Sequence, residues 1–258
     1  MNSERLLANL AGLPIPAVRW METTGSTNDD AAAWAAAGAA DGALVAADRQ
    51  EGGRGRLGRR WTTRAGAALA FSLVLRLNPG EAGRLGLFSP LGALAVADAL
   101  EELGLSPAVK WPNDVLLGRR KVCGILAEAA WLGEELQALV VGIGVNIAPS
   151  SVPPAEELLF PAACVEEFTG RTMDRFVLLR AILAAFFKRR AQVGEPGFLT
   201  DWENRLAFRG ETVTLQPPGE PALQGKLLGI DAQGSLRLLT QGGTERTISA
   251  GDLTLRPI

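Results

Sequence analysis

Residues 50–61 read Gln-Glu-Gly-Gly-Arg-Gly-Arg-Leu-Gly-Arg-Arg-Trp, four glycines and four arginines in twelve positions. Gly52, Gly53, Gly55 and Gly58 admit backbone angles closed to other residues and let a ligand come close. Arg54, Arg56, Arg59 and Arg60 carry fixed charge in planar forks that match phosphate or carboxylate. In an unstructured tail such a run would suit RNA. Here it lies between two apolar strand-like stretches, 43–47 and 68–77, which makes it a loop on a fold that joins neighbouring strands. Few apolar side chains hold it down, so the loop is expected to be mobile until an anion arrives.

On the N-terminal side, Thr24-Gly25-Ser26-Thr27-Asn28-Asp29-Asp30 precedes an alanine-rich run, 31–37. Ser26 or Thr27 suits a helix N-cap, and Asp29 and Asp30 suit the positive end of the helix. A plain cap is one reading. Hydroxyls and an amide at a helix start also make a polar ligand site.

On the C-terminal side, Ser89-Pro90 is expected to open a helix carrying Leu91, Leu94, Leu100 and Leu103, stopped by Gly104. The segment from Val109 through Lys110, Trp111, Pro112, Asn113 and Asp114 reads as a strand entering a turn. Val115-Leu116-Leu117, a Gly118-Arg119-Arg120 turn and a return strand over 121–130 complete a hairpin bracketed by Lys110, Asn113, Asp114 and Lys121. A lysine on a rigid strand aims its ammonium better than one on a loop. A third strand, 136–147, contains Gly142 and Gly144, which imply close approach by a ligand or a packed neighbour, with Asn146 at its end. The proline- and glutamate-rich stretch 149–161 reads as loop. A helix over 174–190 repeats Phe176, Leu179, Leu183, Phe186 and Phe187 at helical spacing, and a short one over 198–206 closes the larger unit. From Gly210 the texture changes to short strands, 212–216, 223–230, 235–239 and 244–249, which predict a small barrel and a boundary near residue 208.

With 258 residues, 47% of them hydrophobic, the chain can bury a large core. A formal charge of −2 argues against nucleic-acid binding by the whole surface, so the arginine loop is a local concentration. Cys123 and Cys164 do not suggest a disulfide framework or a zinc cluster, and a reducing cytoplasm fits. No apolar run reaches the length of a membrane span. The chain has neither histidine nor tyrosine, which removes Ser-His-Asp hydrolysis, Cys-His catalysis and histidine-ligated metals. Chemistry must run on lysine, arginine, carboxylates, amides, hydroxyls and the substrate's own groups.

Taken together, four blocks in order resemble the biotin protein ligases: Ser26-Thr27-Asn28; Gln50 with Gly53-Arg54-Gly55-Arg56-x-Gly58-Arg59-x-Trp61; Lys110-Trp111-Pro112-Asn113-Asp114 with Lys121-x-x-Gly124-Ile125-Leu126-x-Glu128; and Gly142-x-Gly144-x-Asn146. The tail Gly229-Ile230-Asp231-x-x-Gly234-x-Leu236 is similar to the SH3-like barrel of that family. The resemblance implies an α+β fold, a class II aminoacyl-tRNA synthetase/biotin ligase-like catalytic domain over 1–207 and an SH3-like C-terminal β-barrel over 208–258. It implies activation of biotin by Mg2+ and ATP to biotinyl-5′-AMP, then transfer to a lysine of a biotin carboxyl carrier protein or domain. Ser26, Thr27, Asn28, Gln50, Gly53, Arg54, Gly55, Arg56, Lys121 and Gly124 match biotin and adenylate contacts. Arg59, Trp61, Asn113 and Asn146 match the ATP side, Arg56, Lys121 and Lys110 the catalytic positions, and Asp114 the metal. A homodimer is admitted, whereas DNA and membrane are not expected, since residues 1–20 leave no room for a helix-turn-helix and the chain resembles the monofunctional form. Lipoate ligase, on the same fold, and a non-enzymatic nucleotide- or RNA-binding module are the alternatives. The arginine loop and the Lys-Trp-Pro-Asn-Asp block favour biotin.

Overall fold

Every side chain of Ala68–Leu75 is buried, so this strand must be covered on both faces, and it lies third in a seven-stranded sheet. The computed structural model describes residues 3–216, 221–249 and 254–257; the expected outer limits, Met1 and Ile258, lie outside these. In chain order the elements are α1 (Ser3–Leu10), β1 (Val18–Thr24), α2 (Thr27–Ala36), β2 (Ala43–Gln50), β3 (Ala68–Leu75), α3 (Pro79–Ala82), α4 (Phe88–Glu101), β4 (Ala108–Lys110), β5 (Asp114–Leu117), β6 (Arg120–Leu132) and β7 (Glu135–Asn146). After them come α5 (Val165–Thr169), α6 (Arg175–Arg190), α7 (Pro196–Asn204), β8 (Thr212–Gln216), β9 (Leu223–Ile230), β10 (Leu236–Thr240), β11 (Glu245–Ile248) and β12 (Thr254–Pro257). The large sheet has the order β1-β2-β3-β7-β6-β5-β4, parallel only between β1 and β2. The second sheet, β11-β10-β9-β8-β12, is antiparallel throughout, and the fold is the expected α+β arrangement with a C-terminal SH3-like unit.

Strand side chains alternate between faces, and the two faces of the large sheet are covered differently. Phe71, Leu73, Val141 and Ile143 pack with Leu91 and Leu94 of α4 and Ile182 and Leu183 of α6 in the main core. The alternate residues Val74, Val140 and Ala138 meet Ala31 and Ala35 of α2 in a smaller cluster. Val140, Gly142, Gly144 and Asn146 therefore share the α2 face. Beyond the end of α2 that face is stripped of side chains at Gly142 and Gly144 and opens into a cleft.

Local chemistry explains the turns. Gly118 and Arg119 both have positive φ, 53° and 64°, which makes the β5–β6 connection a two-residue hairpin whose turn follows the strand twist. Asp174 caps α6 by accepting a hydrogen bond from the Phe176 amide. Two expectations at helix starts need correction. Ser89 does not cap α4, because the helix begins at the fully buried Phe88 after a tight turn at Leu85–Leu87, with Leu87 at the cap position and no side-chain bond. Burial of Phe88 decides that start, and Pro90 is tolerated because first-turn amides need no helical acceptor. The helix ends at Glu101, and Gly104, at φ 78°, turns the chain afterwards. Ser26 does stand at the cap position of α2, yet its side chain makes no capping bond.

The C-terminal sheet is docked onto the β4–β5 hairpin. Val109 of β4 donates to Arg205 O at 2.7 Å and accepts from the Ala207 amide at 2.9 Å. The buried Trp111 indole N–H donates to Gly234 O at 3.0 Å, in the turn between β9 and β10. Val213, Leu215, Leu227, Leu236 and Leu238 join the same apolar core as the large sheet.

Candidate active site

The cleft has two chambers that meet at a cluster of cations. The first is lined by Ser26, Thr27 and Asn28 from α2, Gln50 from β2, Arg54, Gly55 and Arg56 from the loop, Asn113, Gly124 from β6, and Gly142 and Gly144 from β7. The second is lined by Asn146 and by Pro153, Leu158, Phe160 and Ala162 of the loop after β7. Arg59, Arg60, Trp61, Lys110, Asp114 and Lys121 line both and mark the junction. The first holds about 120 Å³ and the second about 500 Å³.

In the first chamber polar groups fix one another. The Thr27 amide and hydroxyl both donate to Gln50 Oε1, at 2.8 and 3.1 Å, and Gln50 Nε2 donates to Thr63 Oγ1 at 3.2 Å. Asn28 Nδ2 donates to Glu128 Oε2 at 2.6 Å, while its Oδ1 accepts from Ser72 Oγ at 2.6 Å. Ser72 is fully buried in an otherwise apolar strand. These bonds hold hydroxyl, amide and carboxylate in fixed positions, as a specific polar pocket requires.

The glycines admit side chains rather than empty space. A Cβ on Gly142 would lie 2.0 Å from Asn28 Oδ1, and one on Gly144 would lie 2.4 Å from the Trp61 indole. The Trp61 ring thus rests on the floor of the cleft, with Lys121 Nζ 5.5 Å from its centroid. Its buried N–H meets no acceptor among the described residues.

At the junction Asp114 accepts from Lys121 at 2.6 Å and from Lys110 at 3.4 Å. Burial opposes ionisation of the Asp114 carboxyl, but the two ammoniums, Lys121 ahead of Lys110, outweigh it and hold it below the usual carboxylate range. Burial lowers the Lys110 pKa, opposed by the same carboxylate, and Lys110 also lies 4.8 Å from the Phe160 ring centroid. Asn113 is locked to β6: its Nδ2 donates to Ile125 O at 2.7 Å, its carbonyl accepts from the Ile125 amide at 2.9 Å, and its Oδ1 lies 3.5 Å from Arg56 Nη1.

The arginine loop has its own fold. Gly55 N donates to Arg59 O at 2.7 Å, Trp61 N donates to Gly53 O at 2.8 Å, and Leu57 takes a left-handed conformation at the tip. Arg54 makes a bidentate pair with Asp29, both bonds at 2.6 Å, with Glu128 at 3.4 Å. Polar contacts therefore do the fastening that the loop's composition denies to apolar ones.

All the residues expected from the sequence converge on this cleft except Gly53, which lines neither chamber. A Cβ there would come 2.4 Å from Trp61 O, so Gly53 lets the two sides of the loop close on each other. Asn146 is drawn aside by a 3.1 Å bond from its Nδ2 to Ala163 O. Sequence reasoning assigned no role to Ser72, Glu128 or Phe160. Ser72 could have been found as the polar residue inside a wholly apolar strand, and Glu128 lies within a quoted block. Phe160, a lone aromatic in a proline-rich loop, carries no local signal.

Comparison with known proteins gives the family. Residues 20–146 match the biotin/lipoate A/B protein ligase family, and residues 208–256 match the biotin protein ligase C terminal domain. The biotin--[acetyl-CoA-carboxylase] ligase of Mycobacterium tuberculosis is 36% identical over 235 residues, covering 89% of this chain and 85% of that one. The Paracoccus denitrificans protein of the same name is 39% identical over 230 residues, covering 86% and 94%. The biotin protein ligase from Aquifex aeolicus in complex with biotin and ATP superposes with a TM-score of 0.82 at 33% identity, covering 95% of this chain and 100% of that one. By sequence and fold the chain belongs to the biotin protein ligases of the biotin/lipoate A/B protein ligase family.

Proposed function

We propose that this chain is a biotin–[acetyl-CoA-carboxylase] ligase, which activates biotin with ATP and passes it to a lysine of a biotin carboxyl carrier domain. The observation that carries this reading is the pair of chambers joined by Lys110, Lys121, Arg59 and Arg60. Biotin would sit in the first chamber with its polar head toward Ser26, Thr27, Asn28 and Gln50. ATP would lie across the junction toward Asn146, Trp61 and Phe160. A carboxylate oxygen of biotin then bonds to the α-phosphorus of ATP while the bond to pyrophosphate breaks. The carrier amine next bonds to the acyl carbon, AMP leaves with the electron pair, and the amine's proton passes to solvent or phosphate. Two anions must meet in the first step, and Lys121, Lys110 and Arg56 lower that cost without any histidine.

Among the described residues no three histidine, cysteine or carboxylate side chains gather as a metal site. Magnesium commonly takes one or two carboxylates beside substrate phosphates; Asp114 is the carboxylate at the junction, but both its oxygens already face the Lys121 and Lys110 ammoniums, so a metal would be held chiefly by the nucleotide it arrives on. When bound, such an ion supplies neutralisation of phosphate charge. We divide the chain at residue 208, a reading supported by the two separate sheets. The carrier domain, or a second copy of the chain, would dock beside the outer edge of β6. Past Gly124 that edge pairs with no strand among the described residues, and it ends at the exposed Trp131 and Leu132. Two buried free thiols suit the reducing cytoplasm.

Biotin-dependent exchange of labelled pyrophosphate into ATP tests the reading. Exchange with lipoate alone would point to a lipoate ligase, and no exchange with either acid would leave a binding module. Arg56→Gly is expected to keep the fold and release biotinyl-AMP about tenfold faster, because a charged hydrogen bond to the adenylate is lost. A chase experiment on preformed adenylate gives that rate, and parental retention would remove Arg56 from the adenylate.

A further inference from the structure

Ser72 carries the one hydroxyl of β3 and is fully buried, yet it touches two residues that line the first chamber. Its Oγ lies 2.6 Å from Asn28 Oδ1 and 2.8 Å from Thr27 Oγ1. A hydroxyl has one proton, so Ser72 donates to only one of them. The other amide atom of Asn28 decides which. It stands 2.6 Å from Glu128 Oε2 and 3.3 Å from Leu126 O, and a backbone carbonyl can only accept. That atom is therefore the nitrogen, so Oδ1 faces Ser72 and receives its proton. The 2.8 Å contact between Ser72 and Thr27 then needs the proton of Thr27. Gln50 Oε1 is fixed as an acceptor by the Thr27 amide, and the Thr27 hydroxyl reaches it at 3.1 Å. The Thr27 proton is thus shared between Ser72 Oγ and Gln50 Oε1 in a three-centre bond. Both acceptors belong to the protein, so no proton of this hydroxyl is left for a molecule in the chamber.

We propose that Ser72 is a positioning residue that determines specificity: by drawing the Thr27 proton inward, it leaves Thr27 Oγ1 to meet a ligand as an acceptor only. Ser72 lines neither chamber, so it acts through Thr27 and Asn28 and not by touching the ligand. At Thr27 the chamber then selects an N–H. A ligand oxygen in the same place would face a lone pair with no proton between the two, and both groups would stay unpaired. Specificity here comes from which way a row of protons points, Thr27 to Ser72 to Asn28 to Glu128. That the ligand is biotin, whose cyclic urea carries such N–H donors, rests on the function proposed above, but the proton order does not.

The test compares biotin with two analogues, each having one urea N–H replaced by a ring oxygen, in calorimetric titrations of the parent and Ser72→Ala. For one of the two, the parent is expected to bind biotin about 100-fold more tightly, the usual result of leaving buried polar groups unpaired. In Ser72→Ala the Thr27 hydroxyl is free to turn its proton to the ring oxygen, and that preference should fall to about tenfold. Preferences that stay at the parental value for both analogues overturn the proposal, since a purely structural loss weakens all three ligands alike. A second readout needs no ligand. Thr27 is buried, so its hydroxyl proton exchanges slowly, and its three-bond NMR couplings are expected to point it at Ser72 and Gln50. A proton turned toward the chamber overturns the proposal whatever binds. If the couplings hold while neither form binds biotin, the proton order stands and the reading of the ligand falls.

Discussion

Lys121→Gln is expected to lower biotin-dependent pyrophosphate exchange about 100-fold, the usual effect of removing one preorganised donor from a developing oxyanion. Lys121 lines both chambers, so its ammonium faces the point where carboxylate and phosphate must meet. The same side chain also compensates the buried Asp114 at 2.6 Å. The variant should therefore lose stability without ligand, by about 2 kcal/mol, because Lys110 at 3.4 Å is left as the carboxylate's remaining charged partner. This revises the simplest expectation from sequence, in which Lys121 serves the ligand alone. The sign with pH follows. Asp114 has a depressed folded pKa, so its ionised form stabilises the fold above the unfolded value, roughly 4, and that contribution fades as pH falls through the folded pKa. The deficit of Lys121→Gln should be full at pH 7 and shrink in acid. Chemical denaturation at pH 7 and near pH 3 measures it, and a variant as stable as the parent at pH 7 would show that Asp114 needs only Lys110.

Gly234→Val is expected to produce the largest structural effect. Gly234 has φ 80°, and a Cβ there would stand 2.6 Å from the Trp202 ring and 3.1 Å from Leu87. A β-branched residue forced into that conformation costs about 1–2 kcal/mol, and overpacking a buried ring adds roughly as much or more. Together these approach ~3 kcal/mol, or a fall in Tm of about 10 °C for a chain of this size. The carbonyl of Gly234 is also the acceptor for Trp111, the residue between Lys110 and Pro112 in the junction hairpin. Moving it should raise the KM for ATP as well as lower Tm. Trp111→Phe separates the two effects, since it removes the N–H donor, together with some buried volume, while leaving Gly234 and its contacts with Trp202 and Leu87 in place. An unchanged KM in Trp111→Phe would restrict the C-terminal sheet to a stabilising role, and an unchanged Tm in Gly234→Val would contradict the packing argument.

Much of the site was legible because its signals are local. Glycine and arginine in residues 50–61 report backbone freedom and charge wherever the loop lies, and two-residue spacing put Gly142, Gly144 and Asn146 on one face. Gly118-Arg119 likewise announces a hairpin by its own conformational chemistry. The start of α4 was misread for the opposite reason, since the capping preference of Ser89 is small beside the burial of Phe88.

By itself the sequence determined the order of strands and loops, the family they belong to, and which residues carry the charge. Only the tertiary structure decided which charges neutralise one another. Asp114 meets Lys121 across a hairpin whose register shifts between Val115 and Leu116, and a slip of one residue would turn either side chain to the other face. Arg54 meets Asp29 and Glu128, 25 and 74 residues away, although the loop offers three other arginines. Charge and backbone preference belong to single residues and their neighbours in the chain. The choice among equivalent partners depends on distances of a few ångströms, set only when α2, β6 and the loop pack together.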